Sequence, residues 1–189
     1  MHNTWPLGKI PKEFQRPEPE QIKELGYHWN KPHEIVEIFE NEISEYAGSK
    51  YAVAVDCCTN GILLALKYIK QFRRPITIPC HTYISVPNVI VSSGYHNLQL
   101  EEREWEGVYQ IKPLNIWDSA GRFTKGMYIG DNALQILSFQ IKKRLPIGRG
   151  GMILTDDKDA ALTLKKMSYD GRIPNVPWRE QNVDTMGYH

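Results

Sequence analysis

A chain of 189 residues is long enough for one sizeable hydrophobic core and short for two full domains. Its 23 Lys and Arg stand against 22 Asp and Glu, so no field of one sign exists to bind nucleic acid or an acidic membrane surface in bulk. Three cysteines, two of them adjacent as Cys57 and Cys58, form neither a disulfide framework nor a paired zinc spacing. No window nears the roughly 20 apolar residues of a membrane span, and the expectation is a soluble cytoplasmic protein without a metal.

Residues 1–32 are rich in Pro, Glu and Lys, show little periodicity, and read as an extended arm with at most a short helix over 19–25. From 33 to 189 the pattern is that of one folded domain. Ile35, Ile38, Phe39, Ile43 and Tyr46 recur at helical spacing, and Gly48 is placed to stop that helix. A β-rich run at 51–55 leads through the turn "DCCTNG" into an apolar helix over 62–69. Strand-like runs follow at 75–79, 97–100, 114–117, 134–139 and 152–155, interleaved with helix-compatible stretches at 84–91 and 159–169. Alternation of this kind predicts a three-layer α/β/α domain around a mostly parallel sheet.

In such folds ligands bind beyond the carboxyl ends of the strands. That rule selects the turns at 56–61, 80–83, 118–122 and 140–151. In the first, the free N–H groups of a helix start and the Thr59 hydroxyl suit an anion, although Thr59 also suits a helix cap. In "NIWDSAG", Asp118 ends a hydrophobic strand, where a carboxylate needs a cation or a hydrogen-bond donor unless it is an ordinary turn residue. Tyr83 offers an aromatic face that a core position would also explain. In "SFQIKKRLPIGRGG", Ser138 is followed five residues later by Lys143. The glycines come after the lysine rather than before it, which excludes a nucleoside-triphosphate loop, and no G-x-G-x-x-G follows the first strand. An anion site, an aromatic plate, a strand-end carboxylate, a hydroxyl and a lysine together suit pyridoxal 5'-phosphate.

At these residues the chain resembles the DegT/DnrJ/EryC1/StrS sugar aminotransferases, within the fold-type-I (aspartate aminotransferase-like) pyridoxal-phosphate enzymes. "FENEISEYAGSKYAVAVDCCTNGILLAL", "IPCHTYISVPNVIV", "IWDSAG" and "SFQIKKRLPIGRGGMILTDD" are similar to four family motifs in the family's order. The resemblance implies that Lys143 captures the cofactor's aldehyde and that Asp118 pairs with its ring nitrogen. It likewise implies that Cys58, Thr59 and Ser138 hold the phosphate and that Tyr83 stacks on the ring. The implied reaction passes an amino group from an amino acid, glutamate in the family, to a keto sugar nucleotide, in a homodimer. Relatives that act as dehydratases carry a His where Lys143 stands.

The chain departs from the motifs at Cys58, Gly121, Gln140 and Arg149, where the family has glycine, glutamine, histidine and an acidic residue. Against the family, one strand–helix unit is missing between the strands ending near 100 and at 118. "DTMGYH" resembles a family segment cut short before the small C-terminal domain, with His189 in place of an Asn that reaches the partner's phosphate. The alternative implied by these departures is a truncated, non-catalytic domain that binds the cofactor weakly or not at all.

Overall fold

The computed structural model describes residues 11–188. His189 and the first part of the expected arm lie outside them. After a single 3-10 turn at Lys12–Phe14 come α1 (Glu18–Glu24) and α2 (Glu34–Ala47). The second ends where its apolar periodicity ends, at Gly48, whose φ of 85° is the left-handed conformation that a side chain resists. Then follow β1 (Tyr51–Val55), α3 (Cys58–Ile69), β2 (Ile76–Pro79), α4 (Ser85–Ser92), β3 (Leu98–Glu101), β4 (Tyr109–Gln110), β5 (Ile116–Asp118), β6 (Leu134–Ser138), β7 (Gly151–Thr155) and α5 (Lys158–Met167). Asp157 caps α5, its carboxylate accepting from the N–H groups of Asp159 and Ala160.

Five strands form one sheet in the order β1-β7-β6-β5-β4, and β2 pairs with β3 beside it. The two sheets are joined where Thr77 and Lys112 exchange backbone hydrogen bonds of 2.8 and 3.0 Å. One face carries Val53, Ile136 and Ile153, which share a core cluster with Ile62 of α3 and Leu164 of α5; the other packs Leu137, Phe139, Met152 and Leu154 against Ile43 and Ala47 of α2. This is the expected α/β layering.

The sheet is mixed rather than mostly parallel by pairing: β5 with β6 and β2 with β3 run parallel, whereas β1 with β7, β6 with β7 and β4 with β5 run antiparallel. Two connections that lack a crossover helix explain this. A parallel crossover needs a dozen or more residues and usually a helix. The turn between β6 and β7 holds no helix, and the segment between β3 and β5 holds only β4, which folds back on β5 as a hairpin. The hairpin occupies the stretch where the resemblance implied a missing strand–helix unit.

Helix α2 also closes the edge of β1. Glu40, only 6 % exposed, accepts from the Ala54 N–H at 2.9 Å and from Lys165 Nζ of α5 at 2.7 Å. An open strand edge is thereby covered by a side chain.

Candidate active site

Cys58, Thr59, Tyr83, Asp118, Ser138 and Lys143 all line one cleft of about 610 Å³ at the strand ends. They come from the ends of four strands and the connections that follow them, β1, β2, β5 and β6, and the fold brings the six together. Helix α3 begins at Cys58, capped by Cys57, whose sulfur accepts from the Asn60 N–H at 3.5 Å while its carbonyl accepts from Gly61. The cap is therefore Cys57 and not Thr59. With those donors satisfied, the N–H groups of Cys58 and Thr59 are the ones left at the helix start, among the described residues. The Thr59 hydroxyl lies 2.8 Å from that of Ser85, at the start of α4.

Two glycines set the opposite wall. A Cβ on Gly151 would meet Cys57 C, Cys58 N and Leu137 O, each at 2.8 Å, so β7 lies against the start of α3 only because residue 151 has no side chain. Gly150, at φ 122°, turns the chain back beside Cys57. The loop between is anchored by buried Phe139, whose N–H donates to Gly150 O and whose carbonyl accepts from Ile147 and Gly148. Gln140, where the family has histidine, accepts from the Lys142 N–H through its side chain and from the Lys143 N–H through its backbone, both at 2.8 Å. That turn presents Lys143 to the cleft. Arg149 reaches across the loop to Asp56 at 3.2 Å.

Asp118 is the buried member of the set, 5 % exposed. Its Oδ1 accepts from the Ala120 N–H at 2.9 Å and faces the Cys58 sulfur at 3.9 Å, and its Oδ2 accepts from the Tyr109 hydroxyl at 2.9 Å. Burial pushes the carboxyl above the usual Asp range, against the pull of the Ala120 and Tyr109 donors, the Lys143 charge and the Cys58 thiol. The Cys58 thiol is pushed well up by burial and then by the neighbouring carboxylate. Tyr109 is raised by burial and by the same carboxylate, and its oxygen lies 2.6 Å from the Thr82 hydroxyl. Tyr83 lies at the mouth and is 75 % exposed, so it is not the core aromatic that its residue type also allowed.

Tyr109 and Thr82 are functional candidates that the sequence reading missed. Tyr109 sits on a two-residue strand in the segment without a family counterpart, and no motif flagged it. The one available signal was the alternation of "VYQI" ahead of a turn. Gly121 departs from the family's glutamine for a related reason: a Cβ there would meet Gly107 Cα at 3.1 Å, because the shortened segment passes close by.

A profile of the DegT/DnrJ/EryC1/StrS aminotransferase family matches residues 18–107 and 116–189. The chain belongs to this family. The unmatched residues, 108–115, are β4 and its turn into β5. The spore coat polysaccharide biosynthesis protein SpsC of Bacillus subtilis is 24% identical over an alignment covering 90% of this chain and 55% of its own length. Among solved structures, the Helicobacter pylori aminotransferase PseC, involved in pseudoaminic acid biosynthesis, superposes with a TM-score of 0.64 at 16% identity, covering 92% of this chain and 58% of PseC. The sugar aminotransferase CalS13 of Micromonospora echinospora gives 0.65 at 15% identity, covering 89% and 59%. The chain spans about half the length of the curated relatives it matches. Among the described residues, no helix is long and apolar enough to cross a membrane.

Proposed function

We propose that this chain supplies the cofactor-binding domain of a pyridoxal-phosphate-dependent aminotransferase that moves an amino group from an amino acid, glutamate by family analogy, to a keto sugar nucleotide. The observation that carries the reading is Asp118: a buried carboxylate on the wall of a cleft, held by neutral donors and, among the described residues, facing no cation except Lys143 across the cavity. A cationic ring N–H is the partner such a group lacks. The donors at the start of α3 and the room in the cleft fit the phosphate and the ring.

When bound, pyridoxal phosphate supplies an aldehyde that takes up amino groups and a protonated ring that withdraws electrons from the carbon beside the transferred nitrogen. The chain's own residues do the rest. Lys143 would hold the aldehyde end through its Nζ until the amine of the incoming amino acid displaces it, and the neutral amine so released would carry a proton to and from the reacting carbon. Asp118 would keep the ring nitrogen protonated. The N–H groups of Cys58 and Thr59 and the Ser138 hydroxyl would hold the phosphate, and Tyr83, at the mouth of the cleft, would offer its face to the ring and exclude water there. Exposed Tyr83, Ile84, Ile141 and Ile147 are the apolar surface that a second copy would cover in a homodimer.

One observation favours a second reading, a non-catalytic domain with weak cofactor binding. The Cys58 side chain stands against Asp118 where the family has glycine, and it narrows the approach to the carboxylate.

Both readings meet the same experiment. Pyridoxal phosphate added to the purified chain is expected to give an imine absorbance band that borohydride fixes on Lys143, as read by peptide mass mapping. The band should persist in Lys142→Ala and vanish in Lys143→Ala. A band of equal size in Lys143→Ala would overturn the cofactor assignment. With the band in place, glutamate and keto sugar nucleotides then separate an enzyme from a binding domain.

A further inference from the structure

A second group of chemically active side chains lies outside this cleft, at the neighbouring strand ends. Cys80 and His81 directly follow β2, and Glu102 directly follows β3. The parallel register sets Pro79 beside Glu101, and the Cys80 N–H donates to Glu101 O at 3.0 Å. The three side chains are thus juxtaposed by the sheet itself. Their ligand atoms all lie within 4.8 Å of one another, with His81 Nε2 3.8 Å from Glu102 Oε2. The backbone beneath them is pinned a second time, because Trp105 Nε1 donates to His81 O at 2.9 Å.

We propose that Cys80, His81 and Glu102 bind one divalent transition cation of borderline softness, with Zn²⁺ the best match. One thiolate, one imidazole and one carboxylate are the ligand types that this ion takes, and three protein ligands leave a fourth position for water. A tetrahedral centre with ligand bonds of about 2.0–2.3 Å places its ligand atoms about 3.5 Å apart. The observed spread therefore closes by rotation of two exposed side chains, with no backbone movement.

The local charge also favours a cation. Glu102, Glu104 and Glu106 line the same open cleft. The arginine of this stretch is spent elsewhere: Arg103 NH1 lies 2.9 Å from Glu101 Oε1 and its NH2 donates to Gln110 O. Cysteine spacing could not reveal the site, since two ligands are adjacent in sequence and the third comes from the next strand. On binding, the Cys80 S–H bond breaks, the sulfur–metal bond forms and the proton leaves to solvent, so affinity falls in acid. The bound ion clasps the carboxyl ends of β2 and β3 and steadies the segment that leads to β4.

The test uses the purified chain without pyridoxal phosphate, with Co²⁺ as the optical probe. One equivalent is expected to bind with a thiolate-to-metal charge-transfer band that Zn²⁺ displaces. Cys80→Ser should abolish the band, and His81→Ala and Glu102→Gln should each weaken binding at least about tenfold, as loss of a ligand does. Zn²⁺ should raise the thermal midpoint of the parent chain but not of Glu102→Gln, an exposed change that the fold tolerates. A band that survives Cys80→Ser would place the metal on Cys57 and Cys58, and binding indifferent to His81→Ala and Glu102→Gln would leave no three-ligand site; either result overturns the proposal.

Discussion

The Tyr109 hydroxyl donates to Asp118 Oδ2 at 2.9 Å from a two-residue strand that the family profile leaves unmatched. Both groups are buried, so the bond is made in a low dielectric, where losing one partner leaves the other unsatisfied. Register fixes it: Tyr109 stands directly opposite Asp118 in the β4–β5 hairpin. Trp105 packs edge-on against the Tyr109 ring, with centroids 4.8 Å apart, and holds it in place.

Tyr109→Phe keeps the ring and removes the donor. Asp118 then loses one of the forces opposing its burial, and its carboxyl moves further up. The expected outcome is a cofactor affinity about tenfold weaker, the equivalent of about 1–2 kcal/mol for a hydrogen bond to a charged group. Titration of the imine band measures it. An unchanged affinity would mean that the Ala120 N–H alone suffices to keep Asp118 ionised.

Asp118 gives a pH prediction of opposite sign to the common carboxylate case. Burial raises its folded pKa above the unfolded value, so the native state keeps the proton longer than the unfolded chain does. The resulting stability is present below the ordinary Asp range and is lost as pH rises through the raised value. Asp118→Asn removes this dependence while still accepting from Ala120. Without cofactor, the variant should melt above the parent at neutral pH, with the difference shrinking towards acid, and it should bind pyridoxal phosphate far more weakly. Thermal midpoints across pH check the first part. Lower stability of the variant at neutral pH would show that the hydrogen bonds outweigh burial.

Much of this architecture was legible because it is local. The helix stop at Gly48, the strand at Tyr51–Val55 and the turn into α3 follow from periodicity and from residues with special backbone freedom. Lys143 and Asp118 were legible as strand-end residues in an α/β pattern, and the structure sets them on one cleft. Strand direction was not, since it depends on whether each connection is long enough to cross over, and the hairpin at β4 reverses what a helix would have kept parallel. Tyr109 and the cluster at Cys80 were hidden for the same reason: their partners are brought alongside by register across strands rather than by spacing along the chain.

Gly151 tests how closely β7 must approach the start of α3. The three atoms nearest to a methyl group there, Cys57 C, Cys58 N and Leu137 O, are all backbone, and none of them can rotate away. Gly151→Ala should therefore cost about 1–3 kcal/mol in stability, the usual cost of overpacking, and should push the Cys58 N–H off the cleft wall. Cofactor affinity is expected to fall more than it does for a destabilising change remote from the cleft. Chemical denaturation and imine titration on the same sample separate the two effects. Full affinity in a destabilised Gly151→Ala would remove the start of α3 from phosphate binding.

Glu40 should matter to stability and not to the cleft. Its Oε1 accepts from Ala54 N and its Oε2 from Lys165, which also reaches Glu37 at 3.5 Å. Truncation by Glu40→Ala uncovers the β1 edge and strips the lysine of its nearer partner, at a cost of about 2–3 kcal/mol; the upper range for broken buried pairs is not reached, because Lys165 keeps Glu37 and some water. Burial already raises the Glu40 pKa despite the lysine, so its charge is held at a penalty. Glu40→Gln keeps the acceptor for Ala54 and removes that penalty, and it should cost less than half as much as the alanine. Denaturant midpoints of the two variants decide the point. Equal losses would mean that the ion pair, and not the edge-covering hydrogen bond, holds α2 to the sheet.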